Sequence, residues 1–311
     1  MKSEKRSSSY LGIIVFCALF LVFLIIDIAG NLFGSMESVG GVFKQFAYLG
    51  TAALGIILTG RAGGIDLSIG MQLSLVTIII AFFAAQGSLF AGILVALAVC
   101  LAIGAVNGLL ISFFKLPALF VTIITGVAAR ALGILVSGDS GVISMLNVSI
   151  MNDLVYFLIF IAALVAAFLL VFFTALGKPF AERTEPGKGE RNLYLFTYII
   201  SAAFAFLAGL LMAYRLNTGI ITAGAGMEVL FIFVLFLAGT SEYFDNRIAP
   251  VPVAVFGCFF LTLFMSSFNI LQGSAGVVFL FQAVIAIAAL FLDRVYRKNI
   301  FSFKAVSGTK S

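Results

Sequence analysis

The sequence predicts an all-α membrane protein that crosses the bilayer about ten times. Of its 311 residues, 63% are hydrophobic and only 10% are charged, and the mean hydropathy is +1.23. Soluble globular domains do not have this composition. Apolar runs of about 17 to 25 residues recur along the chain, which is the length that a helix needs to cross a bilayer. A soluble core is therefore excluded.

Ten apolar runs, some of them shortened by glycine, define the predicted helices. They cover residues 10–29, 45–59, 66–86, 89–114, 117–137, 154–176, 193–214, 226–239, 250–268 and 275–292. The longest polar stretch is too short to form a soluble domain. We therefore predict one membrane domain over residues 1–311, with polar segments at its start, between the sixth and seventh helices and at its end, at about 1–9, 177–192 and 293–311.

The positive charges predict the orientation of these helices. When the N-terminus is placed in the cytoplasm, only Lys44, Arg130 and Arg215 fall at outer helix ends, and the other Lys and Arg residues lie inside. This is the positive-inside pattern, and removing any one helix would spread the charges over both faces. Both termini are therefore predicted to be cytoplasmic. The net charge of +5 indicates contact with anionic lipid rather than with nucleic acid.

Several kinds of chemistry are excluded by what the sequence lacks. It contains no histidine, which removes His-based triads and zinc-protease sites. Cys17, Cys100 and Cys258 occur singly, without the spacing of a metal site or a disulfide. No phosphate-binding G-x-x-x-x-G-K-[ST] motif occurs. We therefore predict no catalytic residue and no metal site, and nucleotide hydrolysis would require another chain.

Two Gly-rich segments interrupt the pattern of long helices. Residues 60–70 follow a short predicted helix on the inner side, and residues 219–226 precede another on the outer side. In two sets of five helices these positions match with opposite sidedness, which predicts two inverted five-helix repeats. Irregular backbone at membrane depth is tolerated where protein or a water-filled cavity satisfies it, so both segments are candidates for a translocation pathway. The alternative is that glycine simply permits close helix crossing.

Few charged residues lie at membrane depth, and each needs a cavity, a partner or an interfacial position. Asp66 and Glu228 stand at predicted helix starts, where a carboxylate either caps free N–H groups or contacts a solute. Arg130, near the outer end of the fifth helix, either binds a substrate group or pairs with an acid. Asp27 and Arg215 lie at helix ends and are expected to extend to the headgroups.

Polar residues on apolar helices complete the candidate pathway. Asn107 and Thr122 suit either an interhelical hydrogen bond, the commoner case, or a pathway lining. Ser68 follows Asp66 at the same helix start. The predicted pathway residues are therefore Asp66, Ser68, Asn107, Thr122, Arg130 and Glu228.

A set of short motifs occurs in a characteristic order along the chain. The run from Leu58 to Gly70 contains Gly-Gly-Ile-Asp-Leu-Ser-Ile-Gly. The stretches that follow are Asn107 to Leu110, Lys115 to Thr122, Arg130 to Gly133, Ala208 to Arg215, Gly224 to Glu228, Ala238 to Ser241 and Gln282 to Asp293. Together they resemble the permease subunits of ribose-type ABC importers over most of residues 45–295.

The resemblance implies a permease that forms half of a conduit in the bacterial cytoplasmic membrane. Its partners would be a second permease chain, an extracytoplasmic binding protein and a cytoplasmic ATPase that binds ATP and Mg, with no cofactor on this chain. The family carries mainly pentoses and hexoses, and relatives carry autoinducer-2, nucleosides or riboflavin. An ion-coupled secondary carrier is the alternative from another class, although the predicted helices contain few acids and no histidine.

The inner loop between the sixth and seventh predicted helices departs from the family pattern. Where relatives carry a short ATPase-docking helix, the stretch from Gly177 to Arg191 is shorter and contains prolines and glycines. Pro186 and Gly187 indicate a turn rather than a helix. We therefore predict a heteromeric permease whose other subunit couples more strongly to the ATPase; alternatively, the shortened loop still docks through its charges. The predicted docking residues are Phe180, Glu182, Arg183, Glu185, Lys188 and Arg191.

Overall fold

The computed structural model describes residues 21–22, 24–30, 36–62, 64–145, 151–173 and 188–238, together with scattered residues between 255 and 287. Several predictions fall outside the described residues. These are the polar ends 1–9 and 293–311 and the docking residues Phe180, Glu182, Arg183 and Glu185.

Seven helices and one small sheet form the described structure. The helices are α1 Met36–Arg61, α2 Ile69–Ala85, α3 Leu89–Ser112, α4 Ala118–Ser137, α5 Asp153–Phe173, α6 Lys188–Leu216 and α7 Met227–Ala238. A 3-10 turn, Gly138–Ser140, leads from α4 to strand β1, Val142–Ser144. This strand pairs antiparallel with β2, Thr218–Ile220, and Val142 lies opposite Ile220. The sheet was not predicted, because short β-branched stretches in loops carry no distinct periodicity.

Helix length confirms the prediction of a polytopic helical protein. Within the described residues, α1, α3, α4, α5 and α6 are long and apolar enough to cross a bilayer, while α2 is shorter. Two helices begin earlier than predicted, α1 at Met36 rather than 45 and α6 at Lys188 rather than 193. Hydropathy detects the part of a helix that prefers lipid, whereas the helix continues through polar residues beyond it. Lys188 and Arg191 therefore belong to the first turn of α6 and not to a loop.

The helices divide into a buried centre and an outer group. Most side chains of α1, α2 and α6 are buried, whereas α3, α4 and α5 expose most of their large apolar side chains. The buried positions of α3 are all small or polar, namely Gly92, Ala96, Cys100, Gly104, Asn107, Gly108 and Ser112. Small residues allow two helix backbones to approach closely, which is how helices associate in lipid. The face that α3 turns inward is therefore a contact face for α2 and α6.

Gly104 and Gly108 make the closest part of the contact between α3 and α6. A Cβ at residue 104 would lie 2.6 Å from the Ala202 Cβ and 2.6 Å from the carbonyl oxygen of Tyr198. A Cβ at residue 108 would lie 2.8 Å from the Leu195 Cα. Backbone atoms occupy part of this space, so a side chain there would push the helices apart.

We predict that Gly104→Val destabilises the protein, because the added atoms have no space between α3 and α6. Overpacking of this kind typically costs about 1–3 kcal/mol. The melting temperature of the purified protein in detergent should fall, as measured by size-exclusion chromatography after heating. Ala102→Val is the matched control, since Ala102 is exposed on the same helix. Equal melting temperatures for the two variants would contradict this account of the crossing.

Candidate functional site

The chain leaves the helical form between α1 and α2 while it is still inside the bundle. A Cβ on Gly64 would lie 3.0 Å from the Ala118 Cβ and would overlap the Tyr198 hydroxyl, so the segment runs tightly between α4 and α6. The Thr122 hydroxyl donates to the carbonyl oxygen of Ile65 at 3.1 Å and accepts the Leu67 N–H at 3.2 Å. Protein groups therefore satisfy the irregular backbone, as a membrane interior requires.

Asp66 is fully buried, and its carboxylate binds Ser68, the residue that immediately precedes α2. Its Oδ1 accepts the backbone N–H of Ser68 at 3.0 Å and the Ser68 hydroxyl at 2.5 Å. Its Oδ2 accepts the hydroxyl of Ser201 at 3.1 Å, across on α6. Asp66 thus accepts a backbone N–H group just before α2, as one of its two predicted roles requires, whereas contact with a solute stays a prediction.

Further hydrogen bonds extend from Ser68 to two other helices. The Ser68 hydroxyl oxygen accepts the side-chain amides of Gln72 at 2.7 Å and Asn107 at 3.1 Å. The Asn107 carbonyl oxygen accepts the Thr125 hydroxyl at 2.6 Å. These bonds link α2, α3, α4 and α6. We call the set the Asp66 network, which consists of Asp66, Ser68, Gln72, Asn107, Thr122, Thr125 and Ser201.

The second Gly-rich segment lies along α2. The backbone N–H of Ile220 donates to the Thr77 hydroxyl at 3.1 Å, and the N–H of Gly224 donates to the Ser74 hydroxyl at 2.8 Å. A Cβ on Gly219 would lie 2.6 Å from the carbonyl oxygen of Thr77. The hydroxyl groups of Ser74 and Thr77, both on α2, therefore accept backbone N–H groups of the second Gly-rich segment.

The two Gly-rich segments meet at Gly70. A Cβ at residue 70 would lie 2.7 Å from the carbonyl oxygen of Gly224 and 2.8 Å from Glu228 Oε1. A Cβ at Gly224 would in turn overlap the carbonyl oxygen of Gly70. Only a residue without a side chain fits on either side of this contact. At this point glycine permits a close approach of two backbones, which is the alternative to a pathway role that the sequence left open.

Glu228 and Arg130 form a second, separate group of predicted pathway residues. Glu228 stands in the first turn of α7, and its Oε1 is buried without a hydrogen-bond partner among the described residues. Arg130 on α4 acts electrostatically on the Glu228 carboxylate, but the two form no ion pair. The structure thus brings Asp66, Ser68, Asn107 and Thr122 together in one network. It places Glu228 at Gly70, within electrostatic range of Arg130.

The residues that sequence reasoning missed all carry hydroxyl or amide groups on apolar helices. They are Gln72, Ser74, Thr77, Thr125, Tyr198 and Ser201. Gln72 stands four residues after Ser68, a helical spacing that places both on one face. Within the described residues, no group of three metal-ligating side chains occurs.

Two basic residues, Lys44 and Arg215, contact protein groups. The Arg215 guanidinium donates to Gln45 Oε1 at 3.1 Å and lies over the Tyr48 ring, 5.6 Å from its centroid. The Lys44 ammonium pairs with Asp153 at 2.6 Å. Arg215 therefore has an acceptor and an aromatic face on α1, and its extension to the headgroups stays a prediction. Asp27 is fully buried within the protein, so the expectation that its side chain extends to the headgroups is wrong.

Comparison with known proteins places the chain among import permeases. A probable ABC transporter permease of Sinorhizobium fredii is 28% identical over 235 residues, which cover 70% of each chain. The ribose import permease of Bacillus subtilis is 26% identical over 302 residues, or 90% of this chain and 91% of the relative. The D-allose transport system permease of Escherichia coli is 25% identical over 323 aligned positions, covering 96% and 98%.

The resemblance to ABC importer permeases is confirmed. These relatives are named as permeases rather than as enzymes, and they align with this chain over 70% to 98% of their own lengths. No protein-family model matches the chain. No solved structure matches it. In this permease, the Gly-Gly-Ile-Asp-Leu-Ser-Ile-Gly motif that contains Asp66 leads into α2. The Asp66 network holds this segment in place.

We expect Asp66→Ala to destabilise the protein, because Ser68 and Ser201 lose their common acceptor. Leaving buried donors unpaired costs about 1–3 kcal/mol, so the melting temperature in detergent should fall clearly. Asp139→Ala is the control, since Asp139 is exposed in the outer 3-10 turn. Unchanged melting in both variants would show that the Asp66 network does not hold α2 in place.

Proposed function

We propose that this chain is the membrane-spanning permease subunit of a binding-protein-dependent ABC importer, and that it carries a small sugar across the bacterial cytoplasmic membrane. One observation carries the proposal. The chain aligns with the ribose import permease and the D-allose transport system permease over 91% and 98% of their lengths. A fructose import permease of Bifidobacterium longum, 28% identical over 260 residues, supports the same class of solute.

The geometry around α2 supports transport by alternating access. Transporters place solute sites at broken helices near the bilayer midplane. Here the inner break before α2 and the outer break before α7 meet at Gly70 and Gly224. A movement of α7 relative to α2 would change the packing at this contact. Docking of a binding protein outside and closure of an ATPase inside can each favour one arrangement of such a two-state element.

We extend the proposal to the architecture of the whole chain, as ten helices in two inverted five-helix repeats with both termini in the cytoplasm. The described residues support the repeat in one respect. Gly70-Met71-Gln72 in the first turn of α2 and Gly226-Met227-Glu228 at the start of α7 both follow a Gly-rich break. In both, the long polar side chain carries a buried oxygen that has no hydrogen-bond partner in the described part of the chain.

The partners in the proposal are an ATPase that binds ATP and Mg, a solute-binding protein and a second permease. We propose that the second permease is a different chain with the stronger coupling to the ATPase. Residues 174–187 lie between the described parts of α5 and α6. Their sequence contains Pro179 and Pro186, and proline interrupts helices, which supports a weaker docking element in this chain.

An uptake assay tests the proposed function. The chain is expressed with its ATPase, binding protein and partner permease in membrane vesicles, and labelled D-ribose, D-allose and D-fructose are offered. We expect uptake of at least one sugar that needs both ATP and the binding protein. Uptake by the purified chain alone, driven by an ion gradient, would instead identify a secondary carrier.

Autoinducer-2 is a second candidate solute. A permease of an autoinducer-2 import system from Photorhabdus laumondii is 24% identical over 296 residues, covering 89% of this chain and 87% of the relative. In the same vesicles, unlabelled autoinducer-2, riboflavin and nucleosides are added as competitors. If one of these competitors bound and none of the three sugars was taken up, that competitor would become the proposed solute instead of a sugar.

We predict weak crosslinking between the ATPase and the segment between α5 and α6. Single cysteines introduced at positions 180–190 are treated with a short crosslinker in the assembled complex, and cysteines in the corresponding loop of the partner permease serve as the control. Crosslinks should form efficiently through the partner and poorly through this chain. Efficient crosslinks to the ATPase from both subunits would contradict unequal coupling.

A further inference from the structure

The carboxylate of Glu228 occupies an unusual position at the contact between the two Gly-rich segments. It lies over Gly70, in the space that a side chain at that position would fill. Its Oε1 is buried and has no hydrogen-bond donor among the described residues. Buried acceptors without a donor are rare in proteins, and each needs an explanation such as a functional role.

Positive groups beside Glu228 offset part of the cost of burying its charge. Gly70 belongs to the first turn of α2 and Glu228 to the first turn of α7, so two helix N-termini lie beside the carboxylate. Helix N-termini carry partial positive charge. Arg130 adds a full positive charge within electrostatic range. These groups therefore oppose the effect of burial on the Glu228 carboxylate, while its Oε1 still lacks a hydrogen-bond donor among the described residues.

The Asp66 network offers a contrast. Both carboxylate oxygens of Asp66 already accept hydrogen bonds, from Ser68 and from Ser201. A solute could bind Asp66 only by displacing donors that hold α2 in place. Glu228 Oε1 requires no such displacement, so the free acceptor capacity of the predicted pathway residues lies at Glu228.

A neutral polyhydroxylated solute matches this free capacity. Glu228 supplies an acceptor for hydroxyl groups, and the five N–H groups of the Arg130 guanidinium supply donors. Arg130 makes no hydrogen bond with the described residues that would occupy those donors. One negative and one positive side chain together also disfavour a solute with either net charge.

We propose that Glu228 Oε1 accepts a hydrogen bond from a hydroxyl group of the transported sugar. Gly70 and Gly224 are positioning residues in this proposal, since their close contact places the Glu228 carboxylate. Because Oε1 is buried in the present arrangement, α7 must shift from α2 before the hydroxyl can bind. The inference rests on the proposed function and specifies the site and the chemical group that it recognises.

The test compares a sugar with its monodeoxy derivatives. The complete importer, with ATPase, binding protein and partner permease, is reconstituted in proteoliposomes, and each compound is supplied as a saturating complex with the binding protein. The parent sugar is whichever of D-ribose, D-allose and D-fructose the wild type transports. The readout is the ratio of the parent rate to the rate of each derivative, because a purely structural defect lowers all rates equally.

We expect Glu228→Leu to slow transport of the parent sugar by about tenfold or more, the effect of losing a hydrogen bond to a charged group. The Glu228→Leu variant should transport one monodeoxy derivative, the one that lacks the recognised hydroxyl, as fast as the wild type does. The ratio of the parent rate to the rate of this derivative should therefore fall toward one. Glu228→Gln keeps an acceptor oxygen and should retain part of the ratio. Gln86→Leu, a similar change at the exposed end of α2, should leave every ratio unchanged.

Equal slowing of the parent and all derivatives by Glu228→Leu would overturn the proposal, and so would wild-type ratios in that variant. If the Glu228→Leu variant does not assemble into the importer, the isosteric Glu228→Gln variant tests the proposal through the same ratio of parent rate to derivative rate. Failure of the wild type to transport any of the three sugars is a different result, since it removes the proposed function itself.

Gly70→Ala tests the positioning role. The new Cβ would displace the Glu228 carboxylate, so the ratio affected by Glu228→Leu should fall here as well. Gly41→Ala is the matched control, because a Cβ there meets no atom within 4 Å. In the double variant Gly70→Ala, Glu228→Leu, the ratio should fall no further than with Glu228→Leu alone. If the double variant lowered the ratio by the product of the two separate effects, Gly70 would not act through Glu228.

Discussion

The constraint on which this structure depends is that backbone polar groups inside an apolar bundle must find partners within the protein. The chain breaks its helical form twice, before α2 and before α7. At the first break, Thr122 satisfies the backbone on both sides of Asp66. At the second, Ser74 and Thr77 do so. Without these side chains the breaks would leave unpaired groups in a medium where each costs several kcal/mol, roughly.

This constraint determines how closely the helices pack. Hydrogen bonds from Asn107 to Ser68 and from Ser201 to Asp66 reach across helix contacts, and they form only when the backbones are near. Gly104 and Gly108 on α3 provide that proximity to α6. The small-residue face of α3 and the Asp66 network are therefore two parts of one arrangement, in which close packing allows the polar groups to meet.

The polar contacts that join α5 to α1 and α6 act differently. The Lys44–Asp153 ion pair joins α1 to α5, and the Tyr156 hydroxyl donates to the carbonyl oxygen of Leu211 on α6 at 3.0 Å. Asp153 is largely exposed, so the ion pair itself contributes little, whereas the buried Tyr156 bond links α5 to the centre. The strand pair β1–β2 packs mainly against α2.

The sequence by itself determined the membrane class, the positions of the apolar spans and the two breaks, because transfer of side chains into lipid depends on composition and length. It also identified Asp66 and Glu228 as helix starts, since charge at membrane depth is costly wherever it lies. Only the tertiary structure decided which polar residues meet. Gln72, Thr125 and Ser201 lie on helices that are apolar nearly all round, so no periodicity indicates which face turns inward. Their partners follow from the way the helices pack.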